Sequence, residues 1–256
     1  MTIPGGLVAP MLNIDSGPIL VDAADFDGTN DYAARGANLT NASDSKIMTF
    51  VMWAKADSIA SGMYFSNATA AGGGTTRGEI KISGGLFDFQ FRNSAGTNIL
   101  RINTTTAPST TAWQCLMCSV DLADTGKRHL YLGDTDELNV TTYTDDSMDF
   151  TVGDWAVGAR PDGATKYNGG LAEMLFWAGA YIDFSVEASR RLFITATGKP
   201  VNPTAAISSL GVPDVYFHLD KGETANNFVA NNEQGADGGE FTVTGELSTY
   251  PSSPSD

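Results

Sequence analysis

Residues Trp155–Tyr181 read WAVGARPDGATKYNGGLAEMLFWAGAY. Two apolar runs, Trp155–Ala159 and Leu171–Trp177, flank a loop of Arg, Pro, Asp, Gly, Lys and Asn. Pro161 presets φ for a turn and Gly163 tolerates a positive φ, so the loop is a turn between two strands. In the second run Leu171, Glu173, Leu175 and Trp177 alternate with Ala172, Met174, Phe176 and Ala178. Both sets are mostly apolar, which predicts an inner strand covered on both faces.

The rest of the chain is built in the same way. Lys46–Lys55 is a strand with Ile47, Thr49, Val51 and Trp53 on one face and Met48, Phe50, Met52 and Ala54 on the other. Gly78–Phe91 alternates around Gly84-Gly85 and reads as a hairpin. Short strands follow at Ile99–Asn103, Trp113–Asp121 and Arg128–Leu132, and later at Asp214–Leu219 and Gly239–Leu247. Trp113 and Trp177 are expected in the core. The one helix is expected over Phe184–Thr197, with Ser185 as its N-cap and Gly198 and Pro200 ending it. No fixed-period repeat is present.

Composition narrows the function classes. The 256 residues include 30 Asp and Glu against 15 Lys and Arg, a net charge of −15. Nucleic acid and anionic membranes are therefore not expected partners, because their affinity comes from basic clusters. Arg190–Arg191 is the densest basic pair and reads as a solvated helix face. The opening stretch, MTIPGGLVAPMLNID, has no basic n-region and is broken by Pro and Gly, so it reads as neither a signal peptide nor a span. Cys115 and Cys118 lie three apart in a strand, on opposite faces and roughly 10 Å from each other. That separation forbids a disulfide and predicts two buried thiols from a reducing compartment.

The succession FDGTNDYA, MTFVMWAK, WQCLMCSVD, RHLYLGD, WAVGARPDG and YNGGLAEMLFW, over roughly residues 24–183, resembles the laminin-G-like and pentraxin-like jelly rolls of the concanavalin A-like superfamily. The resemblance implies an all-β, antiparallel two-sheet sandwich with a curved concave face. Around it we expect an extended N-terminal arm (1–23) and a helix with C-terminal strands and tail (184–256). The stretch from Pro213 to Asp256 is similar to extensions on such domains in virion proteins of tailed bacteriophages. It implies a structural role in a particle (head decoration, spike or fibre), a protein made in the host cytoplasm, and partners that are other virion proteins or further copies of the chain.

Chemistry is sparsely signalled. Glycosidases on this fold carry an E-x-D-x-x-E strand, which is absent, and Glu79 stands alone in its strand. His129 and His218 alternate with tyrosines and lie near no nucleophile elbow, so no enzyme is expected. No cofactor is expected apart from calcium, for which the resemblance points to the FDG turn and to the strand after Asn168-Gly169. Ala172 replaces the carboxylate expected in that strand, leaving Asp27 and Asp31 as candidate ligands. The competing reading is that these aspartates only stabilise their own turn. For glycans, the alternative partner, aromatic rings beside polar groups in or near loops nominate Tyr143, Trp155, Arg160 and Tyr167.

Overall fold

The computed structural model describes residues 18–230, 235–236 and 238–256. Most of the expected arm lies outside the described residues. Its described end is tied down: Pro18 bridges to Val201 and Val21 to Asp220.

The first strands are β1 (Ala24–Asp27), β2 (Tyr32–Ala34), β3 (Ile47–Ala56), β4 (Gly62–Ala70), β5 (Gly73–Ser83) and β6 (Leu86–Arg92). They are followed by β7 (Asn98–Asn103), β8 (Gln114–Asp121), β9 (Arg128–Leu132), β10 (Thr135–Asp136), β11 (Asn139–Tyr143), β12 (Asp154–Val157) and β13 (Asn168–Ala178). The last are β14 (Val215–His218), β15 (Thr242–Thr244) and β16 (Ser248–Thr249). One sheet runs β10-β9-β8-β3-β13-β1-β16, with β14 also on β13, and the other runs β11-β7-β6-β5-β4-β12-β2-β15. Every pairing is antiparallel. The expected sandwich is thus formed, and the C-terminal segment supplies strands to both sheets.

β13 is the inner strand its sequence predicts, with β3 on one side and β1 and β14 on the other. One correction follows from the register. A bulge between Leu171 and Glu173 inverts the alternation, so Leu171, Met174 and Phe176 face the space between the sheets while Ala172, Leu175 and Trp177 face outward. One extra residue in a strand moves every later side chain to the other face. Gly169 is demanded at the start of this strand: its φ is 143°, and a Cβ there would lie 2.3 Å from the Lys55 carbonyl oxygen.

Two apolar clusters result. The inner one fills the sandwich with Phe50, Phe65, Phe89, Phe150, Trp155 and Phe176 among others. The outer one covers the back of the first sheet, where Val51, Trp53, Met117, Leu175 and Trp177 meet Phe184, Phe193, Ile194 and Ala206. Cys115 belongs to the outer cluster and Cys118 to the inner, both free and buried, as the three-residue spacing requires. Burial pushes both thiols up, so neither is a thiolate near neutral pH. We expect no alkylation by iodoacetamide in the folded protein and modification of two thiols after denaturation; labelling followed by mass measurement checks this.

The helix expected over Phe184–Thr197 shrinks to α1 (Glu187–Arg190), and a seven-residue helix, α2, lies at Thr204–Leu210. Ser185 does not cap α1: the N-cap position falls on Val186, which makes no side-chain cap bond, and the Ser185 hydroxyl donates to Asp183 Oδ1 at 2.6 Å. Phe184, Phe193 and Ile194 are drawn onto the sheet instead, which overrides local helical preference. Arg190 is not on a solvated face either. It is buried, donates to the carbonyls of Phe184 and Ser185, and lies 4.8 Å above the Tyr131 ring.

Candidate functional site

The four residues nominated for glycans do not converge. Trp155 and Tyr167 are corrections: at 1% and 0% exposure they are core residues. Trp155 packs 5.2 Å from Phe65 and 5.6 Å from Phe176, and Tyr167 lies 4.5 Å from Tyr64. Proximity to a loop in sequence did not bring either ring to the surface, because strand alternation and the core claimed them. Tyr143 is half-buried beneath the Arg128 guanidinium, 4.3 Å from its ring, and its hydroxyl donates to the Leu122 carbonyl. Arg160 opens the 160–164 turn, and its Nη2 lies 3.7 Å from Asp162.

The two aspartates nominated for calcium are occupied by amide donors. Asp27 Oδ1 accepts from the backbone N–H of Thr29 at 2.7 Å and of Asn30 at 3.0 Å, which holds its carboxyl below the usual range. Asp31 Oδ1 accepts from the Glu246 N–H at 3.0 Å, joining the turn to the C-terminal segment. Among the described residues no group of three or more His, Cys, Asp or Glu side chains is placed to hold a metal ion. The FDG turn is built as an Asx turn.

The outer face of the second sheet is polar. Its register sets Lys81, Asp88, Asn103 and Asn139 in one cross-strand row, and Glu79, Gln90 and Arg101 in the next. Lys81 Nζ lies 2.6 Å from Glu79 Oε2, and Arg101 binds Asp88 through Nη2 at 2.7 Å and Nε at 3.2 Å. Each carboxylate is neutralised by a cation. His129 hydrogen-bonds Tyr181, and His218 hydrogen-bonds Glu173 and Asp220. Neither ring is bonded to a serine, threonine or cysteine among the described residues, so no nucleophile is activated by them.

Aromatic rings and polar groups meet instead on the back of the first sheet. A partly open cleft of about 200 Å³ lies between the outer face of β3 and β8 and the segment after α1. Trp53 and Cys115, directly paired in register, lie side by side in its lining, which also includes Gln114. Trp113 stands at the start of β8 and is half-buried, which corrects its expected core position. Its ring is held edge-on to Tyr250 at 5.6 Å, and its Nε1 donates to Ser252 Oγ at 3.2 Å. Gln114 Oε1 accepts the Ser109 N–H at 2.6 Å.

The far wall is Ile194 and Gly198. Gly198 closes a turn by donating to the Thr195 carbonyl, with a φ of 76° that favours glycine. This wall is anchored through Asp134, which receives Arg190 Nε at 2.9 Å and Arg191 Nη2 at 2.8 Å. Both guanidiniums, Arg191 foremost, hold the Asp134 carboxyl below its ordinary range. Asp134 follows Gly133, another lining residue whose N–H donates to the Cys115 carbonyl at 2.8 Å.

One lining residue of the cleft carries a buried polar atom without a partner. Trp53 is 2% exposed, and its Nε1–H has no acceptor among the described residues. Leaving a buried donor unpaired costs about 1–3 kcal/mol. The sequence had placed Trp53 beside Val51 on one face of β3 but gave no sign of what would lie opposite. The opposing groups come from residues 113–115, 132–133 and 194–198, and only the sheet register and the C-terminal wrap bring them together.

The Laminin_G_3 family, described as the concanavalin A-like lectin/glucanases superfamily, matches residues 27–183. The chain belongs to this family. A search of the curated proteins gives no match. Among solved structures, a candidate carbohydrate binding protein from Bacteroides ovatus is similar over 91% of this chain, with 14% identity and a TM-score of 0.59. The chain spans 61% of the length of that structure. The sialidase CBM40 of Ruminococcus gnavus, bound to α2,3-sialyllactose, matches 66% of this chain and 96% of its own, at 14% identity and a TM-score of 0.46. The pentraxin of Limulus polyphemus matches 64% and 78%, at 14% identity and a TM-score of 0.44. These likenesses concern the fold. The family match ends at residue 183, so Ile194 and Gly198 of the cleft lie beyond it.

Proposed function

We propose that the protein is a non-catalytic carbohydrate-binding β-sandwich that takes a single sugar residue in the Trp53–Trp113 cleft, without calcium. The observation that carries this reading is the cleft itself, in which the half-buried Trp113 and the buried Trp53 line one ring-sized space. An indole face suits the C–H face of a pyranose. The volume exceeds the roughly 150 Å³ of a cavity known to hold one benzene ring, so it suits one residue and not a long chain. The Bacteroides ovatus relative, described as a candidate carbohydrate binding protein, agrees with this reading.

Hydrolysis is not part of the proposal. A glycosidase needs two free carboxyls about the scissile bond. None of the cleft's lining residues carries one, and Glu79 and Asp88 on the other sheet are ion-paired. The test is a glycan-array screen repeated with EDTA and with Trp113→Ala. Trp113→Ala should weaken binding roughly tenfold or more, since an aromatic anchor in a pocket is worth about 2 kcal/mol or more. EDTA and Arg101→Ala, on the opposite sheet, should leave binding unchanged. Binding lost with Arg101→Ala but kept in Trp113→Ala would move the site to the polar face.

A second reading, assembly into a bacteriophage particle, rests on the resemblance of the stretch from Pro213 to Asp256. The closing of β14, β15 and β16 into the two sheets makes that stretch part of the sandwich wall. The assembly reading requires stable self-association or capture by virion proteins, which light scattering of the purified protein addresses.

A further inference from the structure

We infer that the cleft selects a 6-deoxyhexose, an uncharged sugar whose C5 methyl group seats against Trp53, Cys115 and Ile194 while its ring lies along Trp113. This deepens the glycan reading of the same cleft and rests on it.

Three features carry the inference. The first is the gradation of burial along the lining. Trp53, Cys115 and Ile194 are 2%, 1% and 5% exposed and belong to one apolar cluster, whereas Trp113 and Leu132 are half-buried and Gly198 is exposed. The three buried side chains leave an apolar area that suits one methyl group and is too small for the face of a pyranose. The ring itself then falls to Trp113. The second feature is chemical. No lining side chain carries a hydroxyl, and the Trp53 nitrogen is itself fully buried. Gln114 alternates to the other face of β8 from Cys115, and its Oε1 is engaged by the Ser109 N–H. Burial keeps the Cys115 thiol protonated. A C6 hydroxyl brought against Trp53, Cys115 and Ile194 would therefore give up its water without gaining a strong partner, whereas a methyl group there leaves water at no such cost. The third feature is charge. None of the lining residues is acidic or basic, and Asp134, next to Gly133, is held by Arg190 and Arg191. A charged sugar would find no counter-charge in the cleft, and a 6-deoxyhexose needs none.

The experiment is a titration of the 15N-labelled protein with matched pairs of sugars that differ only at C6, read at the Trp113 indole N–H resonance. The pairs are L-rhamnose with L-mannose, L-fucose with L-galactose, and 6-deoxy-D-glucose with D-glucose. In at least one pair the 6-deoxy member should bind about tenfold or more tighter than its 6-hydroxy partner, the discrimination that an apolar pocket reaches against an added hydroxyl. Cys115→Ser, which sets a hydroxyl where the thiol stands, should bring the two members of that pair to near-equal binding. Should that variant fail to fold, the wild-type pairs still decide. A folded Cys115→Ser protein that keeps the full preference would show that the methyl group is not seated there. If both members of every pair move Trp113 with equal affinity, the 6-deoxy selection is overturned while the cleft remains a glycan site. A glycan array positive only for glycans without a 6-deoxyhexose overturns it in the same way. If no sugar moves Trp113 and the array is also negative, the glycan reading itself fails, and this inference with it.

Discussion

Trp155→Ala is expected to destabilise the protein by about 3–5 kcal/mol, the range for removing a buried tryptophan. Trp155 is 1% exposed and sits where Phe65, Phe150 and Phe176 converge between the sheets. Its β12 neighbours join the second sheet through β4 and β2. Deletion of the indole therefore leaves a void bounded by both sheets, with few small side chains free to collapse into it. A loss of that size is a large share of the 5–15 kcal/mol that ordinarily separates folded from unfolded chains. Urea unfolding of the variant measures it. A loss under 1 kcal/mol would mean that the ring is not packed as described. Trp113→Ala removes the same side chain from a half-buried position and should cost clearly less, so the two variants together separate a core tryptophan from one at the mouth of a cleft.

Stability should also fall as the solution becomes alkaline, by roughly 3 kcal/mol, through His218. Burial by itself would push this imidazole down, but hydrogen bonding and charge from Glu173 and then Asp220 outweigh it and raise it to about 9. His218 Nδ1 lies 3.2 Å from Glu173 Oε1, His218 Nε2 lies 3.0 Å from Asp220 Oδ1, and the Tyr216 hydroxyl donates to the same Glu173 oxygen at 3.0 Å. The folded value lies above the unfolded value of about 6.5, so the protonated ring binds its neighbours more tightly in the native state. The contribution is therefore complete below about pH 6.5 and is lost as pH rises through about 9. A difference of about 2.5 units at 1.36 kcal/mol each sets the magnitude. His218→Gln should remove this part of the dependence, so the variant loses less stability than wild type between pH 6 and pH 10, the remainder coming from the buried Cys115 and Cys118 thiols, which ionise more readily on unfolding. If wild type and variant lose stability in parallel over that range, Glu173 and His218 do not form the buried pair described.

What could be read from the sequence was decided by alternation. The two-faced apolar pattern of β3, β8 and β13 is a local property, and it places Phe50 inward, Val51 outward, and Cys115 and Cys118 on opposite faces without knowledge of any partner strand. The reading failed where a non-local event intervened. The bulge at Leu171–Glu173 turned Leu175 and Trp177 to the back of the sheet. Arg190 was captured by Asp134, 56 residues away. Trp113 was taken up by Tyr250 and Ser252 at the far end of the chain. For α2 a local signal is present in the sequence. Pro203 precedes it, Asn202 Oδ1 accepts the Thr204 N–H at 3.0 Å, and Gly211 follows with a φ of 89°. The cleft was unreadable for a related reason. Its rings are 60 residues apart in sequence, and the wall facing them is set by an ion-pair anchor and a glycine turn after residue 190.

The central claim, that a sugar residue occupies the Trp53–Trp113 cleft, is tested most directly by comparing glycan binding of the wild-type protein with that of Trp113→Ala, both shown to be folded, in the presence of EDTA. The account predicts saturable, EDTA-insensitive binding to the wild type, weakened roughly tenfold or more in the variant. Equal binding by the two proteins, or binding abolished by EDTA, would contradict it.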